Sequence, residues 1–414
     1  MKHWNWIGFS LVVVILLTAS LQAQEKQITF GFKGISGELK IYEELIEEFQ
    51  REHPDIKIEL IDLTAGGGDW IDRLLVMVLG GTTPDICVME YQRSLSLIMQ
   101  GVFRPLDSLI QVDPEFSLDA YIPAAVGAHT YENKVYGIPR DIQPFTLFVN
   151  KAELDRAGLP YPDPHWDIFD MRDQARKMTV DLHGDGVIDI WGWRIEATLT
   201  RMAPYFYAFG AEFIDETGTQ CLLSEQPAME AVDFLYDALH NRQAIAPLSS
   251  AARFQNGDVG FYLGGPWMVP DFRRIEFPWD IAPVPGGPGG RATTLGSDAY
   301  LISQTCPYVD AAWEFVKFCS GPYAQEKMVQ LGHVIPSLQE LVASPEFQYP
   351  VEPPYNITAY NIGFEIAKAS PVNLHWENFQ KIFQQQMLAI FNGQVEPAQG
   401  LRQLTFQANV LFQQ

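Results

Sequence analysis

The chain is short of cations. It carries 28 Lys plus Arg against 51 Asp plus Glu, a formal net charge of −23, and its basic residues never run longer than a pair. A protein that holds phosphate backbones needs clustered Lys and Arg to displace counterions, so nucleic acid is excluded as a partner. Cysteine is also scarce. Cys87, Cys221, Cys306 and Cys319 are scattered, with no Cys-x-x-Cys spacing, which excludes a disulfide framework or a zinc knuckle. Cys306 and Cys319 flank a predicted helix too long to bridge, and Cys87 sits in an apolar strand as a buried thiol. No His-Glu-x-x-His or Gly-x-Ser-x-Gly occurs, and the eight His form no hydrolytic or metal-type pair.

One long apolar run is present, Ile7 to Leu17, after Lys2 and before small and polar residues ending at Ala23. A membrane span needs about 20 apolar residues, so this run reads as a cleavable export signal, residues 1–23, and the chain as periplasmic or extracellular. No Cys stands at that boundary to carry a lipid.

What remains is long and rich in hydrophobic residues, 47% of the 414, and one core seldom serves that length. Ile28, Phe30 and Phe32 alternate as a strand; Leu39, Tyr42, Leu45, Ile46 and Phe49 recur at helical spacing; Ile56, Ile58 and Leu60 return to period two. A helix around Trp70 to Val78 precedes a buried strand at Pro84 to Met89. The first part is therefore an α/β sheet. Beyond Gly137-Ile138-Pro139 a strand with Phe145, Leu147 and Val149 precedes a helix at Lys151 to Ala157. Helices follow over 166–178, 203–209 and 227–241, then a Pro- and Gly-rich loop over 281–291 and a helical, Gln-rich tail from His375.

Several of these segments, in order, resemble the extracellular solute-binding proteins of ABC importers, in the branch typified by maltose-binding protein. The motifs are Gly137-Ile138-Pro139 with Leu147-Phe148-Val149-Asn150-Lys151 and Ala157-Gly158-Leu159; His165-Trp166-Asp167; and Asn256-Gly257-Asp258-Val259-Gly260 leading to Gly265-Pro266-Trp267. Pro283 to Pro288 and then Ala311 to Phe318 complete the series. The resemblance implies a two-lobe "Venus flytrap" α/β fold joined by several crossovers. Its lobes would be 24–139 with 286–338, and 140–285 with 339–414. It implies a monomer that is no enzyme, closes on a sugar or oligosaccharide and delivers it to ABC permease subunits in the membrane.

Sugars pack their C–H faces on aromatic rings and pair their hydroxyls with planar donors and carboxylates. The resemblance makes Trp267 the cleft tryptophan, with interlobe packing as its alternative, and gives Trp193 and Tyr205 as candidate platforms on the second lobe. Arg140 and Asp141, just after the crossover, are candidates to hold hydroxyls; their alternative is a hinge salt bridge. Phe32 ends the first strand, Trp70 opens a helix after Gly66-Gly67-Gly68-Asp69 and Tyr91 follows the strand ending at Met89; loops at the carboxyl ends of parallel strands are where open α/β sheets bind ligands, and helix packing is the alternative for Trp70. Asp298, beside Ser297, departs from a common Gly run of the family and reads as a ligand contact or a polar turn. Asp181, Asp185 and Asp189 are spaced like part of a calcium loop, but His183 and Gly192 occupy ligand positions, so no cofactor is expected. Two other functions fit the composition: a secreted carbohydrate-active enzyme with paired carboxylates, and the binding module of a chemosensory system.

Overall fold

The computed structural model describes residues 25–33, 38–65, 67, 69–330, 332, 334–369 and 373–414. The export signal expected at 1–23 lies outside them. Two sheets organise the chain. The first has five strands in the order Ile56–Asp62, Lys26–Phe32, Ile86–Glu90, Asp298–Ile302, Gly137–Pro139. The three earliest pair parallel, and Asp298–Ile302 runs antiparallel between Ile86–Glu90 and Gly137–Pro139. The second sheet orders Trp279–Ala282, Thr146–Asn150, Val259–Gly264 and Trp191–Arg194. Gln143–Pro144, Thr293–Gly296 and Ala367–Lys368 form a small third sheet where the chain passes between the lobes.

Period-two alternation covers both faces of each main sheet, as expected where helices lie on either side. Ile28, Phe30, Phe32, Val88, Tyr300 and Ile302 pack on one side of the first sheet with the helices Glu38–Glu52 and Val309–Ser320. Cys87, Met89, Ala299 and Leu301 face the other side, toward Trp70–Leu79 and Tyr91–Met99. In the second sheet Leu147, Val149, Phe261 and Leu263 join a core with the helices Ile168–Met178, Leu199–Tyr207 and Gln226–His240. Phe148, on the opposite face, packs edge-on against Phe272 at 4.7 Å.

Helix ends follow local chemistry. Asp167 caps Ile168–Met178 in a reciprocal box with Asp170, and Asn150 accepts from the Glu153 amide to start Lys151–Ala157, which Gly158 ends in the left-handed region. Gly192 permits the close approach of strand and helix, since a Cβ there would stand 1.8 Å from the Ala175 carbonyl oxygen. The Pro- and Gly-rich stretch differs from the sequence expectation at its start: Ile281 and Ala282 pair with Phe148 and Leu147 as strand. Their burial explains this, as both lie at 1% exposure.

The tail helices Trp376–Phe391 and Pro397–Phe412 complete the second core, with Phe379, Phe383, Met387, Ile390 and Phe391 buried. Trp376–Phe391 also touches the first lobe, where Glu377 lies 3.6 Å from Arg93 of Tyr91–Met99. All four cysteines are buried free thiols. Among the described residues no helix is long and apolar enough to cross a membrane.

Candidate functional site

The carboxyl ends of the parallel strands of the first sheet, the amino end of antiparallel Asp298–Ile302 and the end of Gly137–Pro139 meet at one edge. Register puts Asp298 opposite Glu90. Lys33, just past Phe32, reaches both: its Nζ donates to Asp298 Oδ1 and Glu90 Oε1, each at 2.8 Å. Arg140, just past Pro139, donates from Nη2 to Asp298 Oδ2 at 2.6 Å and from Nε to Asp141 Oδ2 at 2.8 Å. Its Nη1 donates to Glu38 Oε1 at 3.0 Å and to the Tyr42 hydroxyl at 3.2 Å. Lys33, Glu38, Arg140, Asp141 and Asp298 are all buried.

Such a network forms only if every charge is matched, because an isolated buried charge is prohibitive. Burial pulls Lys33 and Arg140 down, but the carboxylates around them outweigh it and raise both. Burial lifts Asp298, yet Lys33 and Arg140 hold it below the usual carboxylate range. Asp141 goes the other way, to about 6, because burial and the neighbouring Asp298 outweigh Arg140. His129 is driven down to about 4 by burial. Ser297 Oγ donates to the Asp141 carbonyl at 2.7 Å, so it accepts from His129 Nε2, 3.1 Å away. That fixes the neutral tautomer and leaves His129 Nδ1 a buried acceptor without a partner among the described residues.

Facing this edge from the second lobe is Trp267, in the turn Pro266–Met268 that follows Val259–Gly264. Gly265 is required here, since a Cβ on it would lie 1.9 Å from Cζ3 of the indole that folds back over it. The ring is half-buried and rests edge-on against Phe145, 5.2 Å between centroids at 74°. Between the lobes lies a cavity of about 310 Å³, lined on one side by Lys33, Glu38, Glu90, Arg140 and Asp298 and on the other by Phe145, Thr200 and Trp267, with Gln92 and Gln143 adding amides. Glu38 Oε2, buried in that wall, has no hydrogen-bond partner among the described residues.

Of the residues expected from sequence, Arg140, Trp267 and Asp298 come together on this cavity. Asp141 lies behind it, with its Oδ1 accepting from the Asp298 amide at 2.9 Å. The guanidinium of Arg140 donates to Glu38, Tyr42, Asp141 and Asp298, the salt-bridge arrangement named as the alternative to a ligand contact, while the residue still lines the cavity.

The others pack elsewhere. Phe32 is wholly buried against Tyr42, on the face that strand alternation gives it with Ile28 and Phe30. Trp193 and Tyr205 form a buried pair, indole Nε1 donating to the phenol oxygen at 3.1 Å with centroids 4.9 Å apart. They are core of the second lobe. Trp70 is 8% exposed under the Arg93 guanidinium, 5.3 Å from its ring, and Tyr91 is buried edge-on to His129.

Sequence reading missed Lys33, Glu38, Gln143 and Phe145. Alternation held the signal for the first: with Phe32 turned to the core, Lys33 is the residue left at the strand end. The calcium-like loop directs its carboxylates inward. Asp181 accepts from the amides of Gly184 and Gly186 at 2.6 and 2.7 Å, and Asp189 accepts from Leu182 at 2.6 Å. Among the described residues no group of three or more His, Cys, Asp or Glu is placed to hold a metal ion.

Residues 35–326 match the family model described as bacterial extracellular solute-binding protein. The chain belongs to that family. A Brucella abortus protein named only as a binding protein is 22% identical over 99% of both chains. The arabinooligosaccharide-binding protein of Bacillus subtilis is 24% identical over 75% of each. Among solved structures, the ABC substrate-binding protein Lmo0181 of Listeria monocytogenes, in complex with cycloalternan, superposes with a TM-score of 0.83. It is 22% identical, over 93% of this chain and 98% of that one. The two-lobe fold of this solute-binding protein is thus that of its structural neighbours.

Proposed function

We propose that this solute-binding protein is the capture subunit of an ABC importer: it encloses a sugar or oligosaccharide between its lobes and hands it, unaltered, to permease subunits in the membrane. The observation that carries this reading is the pairing, across one interlobe cavity, of a half-buried indole with a wall of carboxylates and amides. An apolar plate opposite hydroxyl acceptors is the arrangement a sugar ring demands. Relatives named for arabinooligosaccharide and a neighbour bound to cycloalternan support the same cargo class. A net charge of −23 disfavours sugar phosphates. The protein works as an exported monomer whose closed form is favoured because ligand touches both lobes.

A thermal-shift screen of the purified protein against sugars, polyols and sugar phosphates tests this. A ligand present at a hundred times its Kd stabilises the folded state by about 2.7 kcal/mol, enough to read. One neutral sugar class should raise the melting temperature and be recovered intact by chromatography. Consumption of the sugar would point to an enzyme, and silence from all sugars would remove the proposed cargo.

A further inference from the structure

The charges on the interlobe cavity do not balance. Its lining carries two cations, Lys33 and Arg140, against three carboxylates, Glu38, Glu90 and Asp298. Asp141, which accepts from Arg140 behind the wall, makes a fourth. Glu38, Asp141 and Asp298 are each at most 1% exposed, so water screens them little. Widening the circle does not restore the count. Arg93 stands 3.9 Å from Glu90, but its Nη1 donates to Asp69 at 2.7 Å and its Nε is nearer to Glu377, at 3.6 Å. On the second lobe Arg201 is matched by Glu196 at 2.9 Å, and His129, beside Asp298, is held neutral by burial. Among the described residues the wall therefore keeps an excess of negative charge, and the rise of Asp141 to about 6, through burial and the neighbouring Asp298, is its local sign.

One acceptor in this wall is unused. Glu38 gives Oε1 to Arg140 at 3.0 Å, while its Oε2 has no hydrogen-bond partner among the described residues. A sugar hydroxyl would bring that wall a single proton donor and no charge. A protonated amine brings three N–H donors together with the positive charge that the wall lacks. Trp267 and Phe145 line the opposite side, and aromatic faces attract an ammonium as well as the C–H groups of a sugar. The net charge of −23 adds a field that draws cations toward the protein.

We propose that the cargo is an amino sugar, with its ring against Trp267 and its protonated amine on the carboxylate wall at Glu38. This rests on the sugar reading above and narrows it: a neutral sugar of the same ring still fits, but leaves the excess charge uncompensated. Because the ring meets the second lobe and the amine the first, recognition of the charge is coupled to closure.

Matched triads, titrated calorimetrically into the full protein at pH 6.5, test it: glucose, glucosamine and N-acetylglucosamine, the galactose series, and the β-1,4-linked dimers of the glucose series. In the triad whose ring is accepted, the amine should bind at least about tenfold tighter than the alcohol and the N-acetyl member, which share the ring but not the charge. Glu38→Gln should cut that ratio to about threefold or less. If this variant melts early, Glu90→Gln serves, since that side chain is 41% exposed and its loss should lower the ratio too. An alcohol or N-acetyl member that binds as tightly as its amine, or a ratio that survives in the folded variants, would overturn the inference and leave the sugar reading standing. Silence from every triad while another, neutral sugar raises the melting temperature would do the same. Silence from every sugar in both experiments would overturn both.

Discussion

Arg140 and Asp298 lie 158 residues apart in the chain and 2.6 Å apart in space. Lys33 holds the other oxygen of the same carboxylate at 2.8 Å, so three separate passes of the chain are tied at one point on the cleft wall. Contacts within the protein order these side chains, which lowers the ordering cost that a ligand would meet.

Arg140→Ala should cost about 3–5 kcal/mol of stability, read as a lower urea midpoint, because Glu38, Asp141 and Asp298 are left buried with Lys33 as their remaining cation. Sugar affinity of the folded fraction should fall less than tenfold. A collapse of affinity at unchanged stability would instead make the guanidinium a ligand contact.

Trp267→Ala should weaken sugar binding more than tenfold. Stacking alone is worth about 0.5–1.5 kcal/mol beyond the buried area, and the apolar area lost adds to it. The indole is only half-buried, so the ligand-free melting temperature should move little. Unchanged affinity by calorimetry would take Trp267 out of the site.

Trp193→Phe should do the reverse. It leaves the buried Tyr205 hydroxyl without its indole donor, a loss of about 1–3 kcal/mol in denaturant unfolding, with sugar affinity unchanged. A large loss of affinity at full stability would return this pair to the cleft.

Most of the fold was legible because alternation and helical spacing were strong: the Lys151–Ala157 helix begins and ends where its sequence pattern does. The site was less so. Trp267 came from the resemblance of Gly265-Pro266-Trp267 to the family's motif. Phe32, Trp193 and Tyr205 were indistinguishable from cleft aromatics by type alone, and only tertiary packing puts them inside. Glu38 gave no signal, since its value depends on Arg140, 102 residues away.

His129 supplies a pH signature. Its pKa falls from 6.5 to about 4 on folding, so the native state keeps it neutral while the unfolded chain protonates. That contribution is present above pH 6.5 and is lost as pH falls toward 4, by roughly 3 kcal/mol at 1.36 per unit. Asp141, raised to about 6, opposes it, because between about pH 6 and 4 the native state binds its proton more tightly. His129→Gln should therefore gain stability relative to the parent as pH drops from 6.5 to 4, in parallel urea titrations. A pH-independent difference would refute the assignment.

The strand Asp298–Ile302 lies inside the first sheet, between strands that end at residues 90 and 139, and the second core waits for helices that end at Phe412. Neither half can be finished by its early residues alone. During synthesis the chain thus has no complete globule to form until its last third is made, and cooperative collapse is postponed by topology.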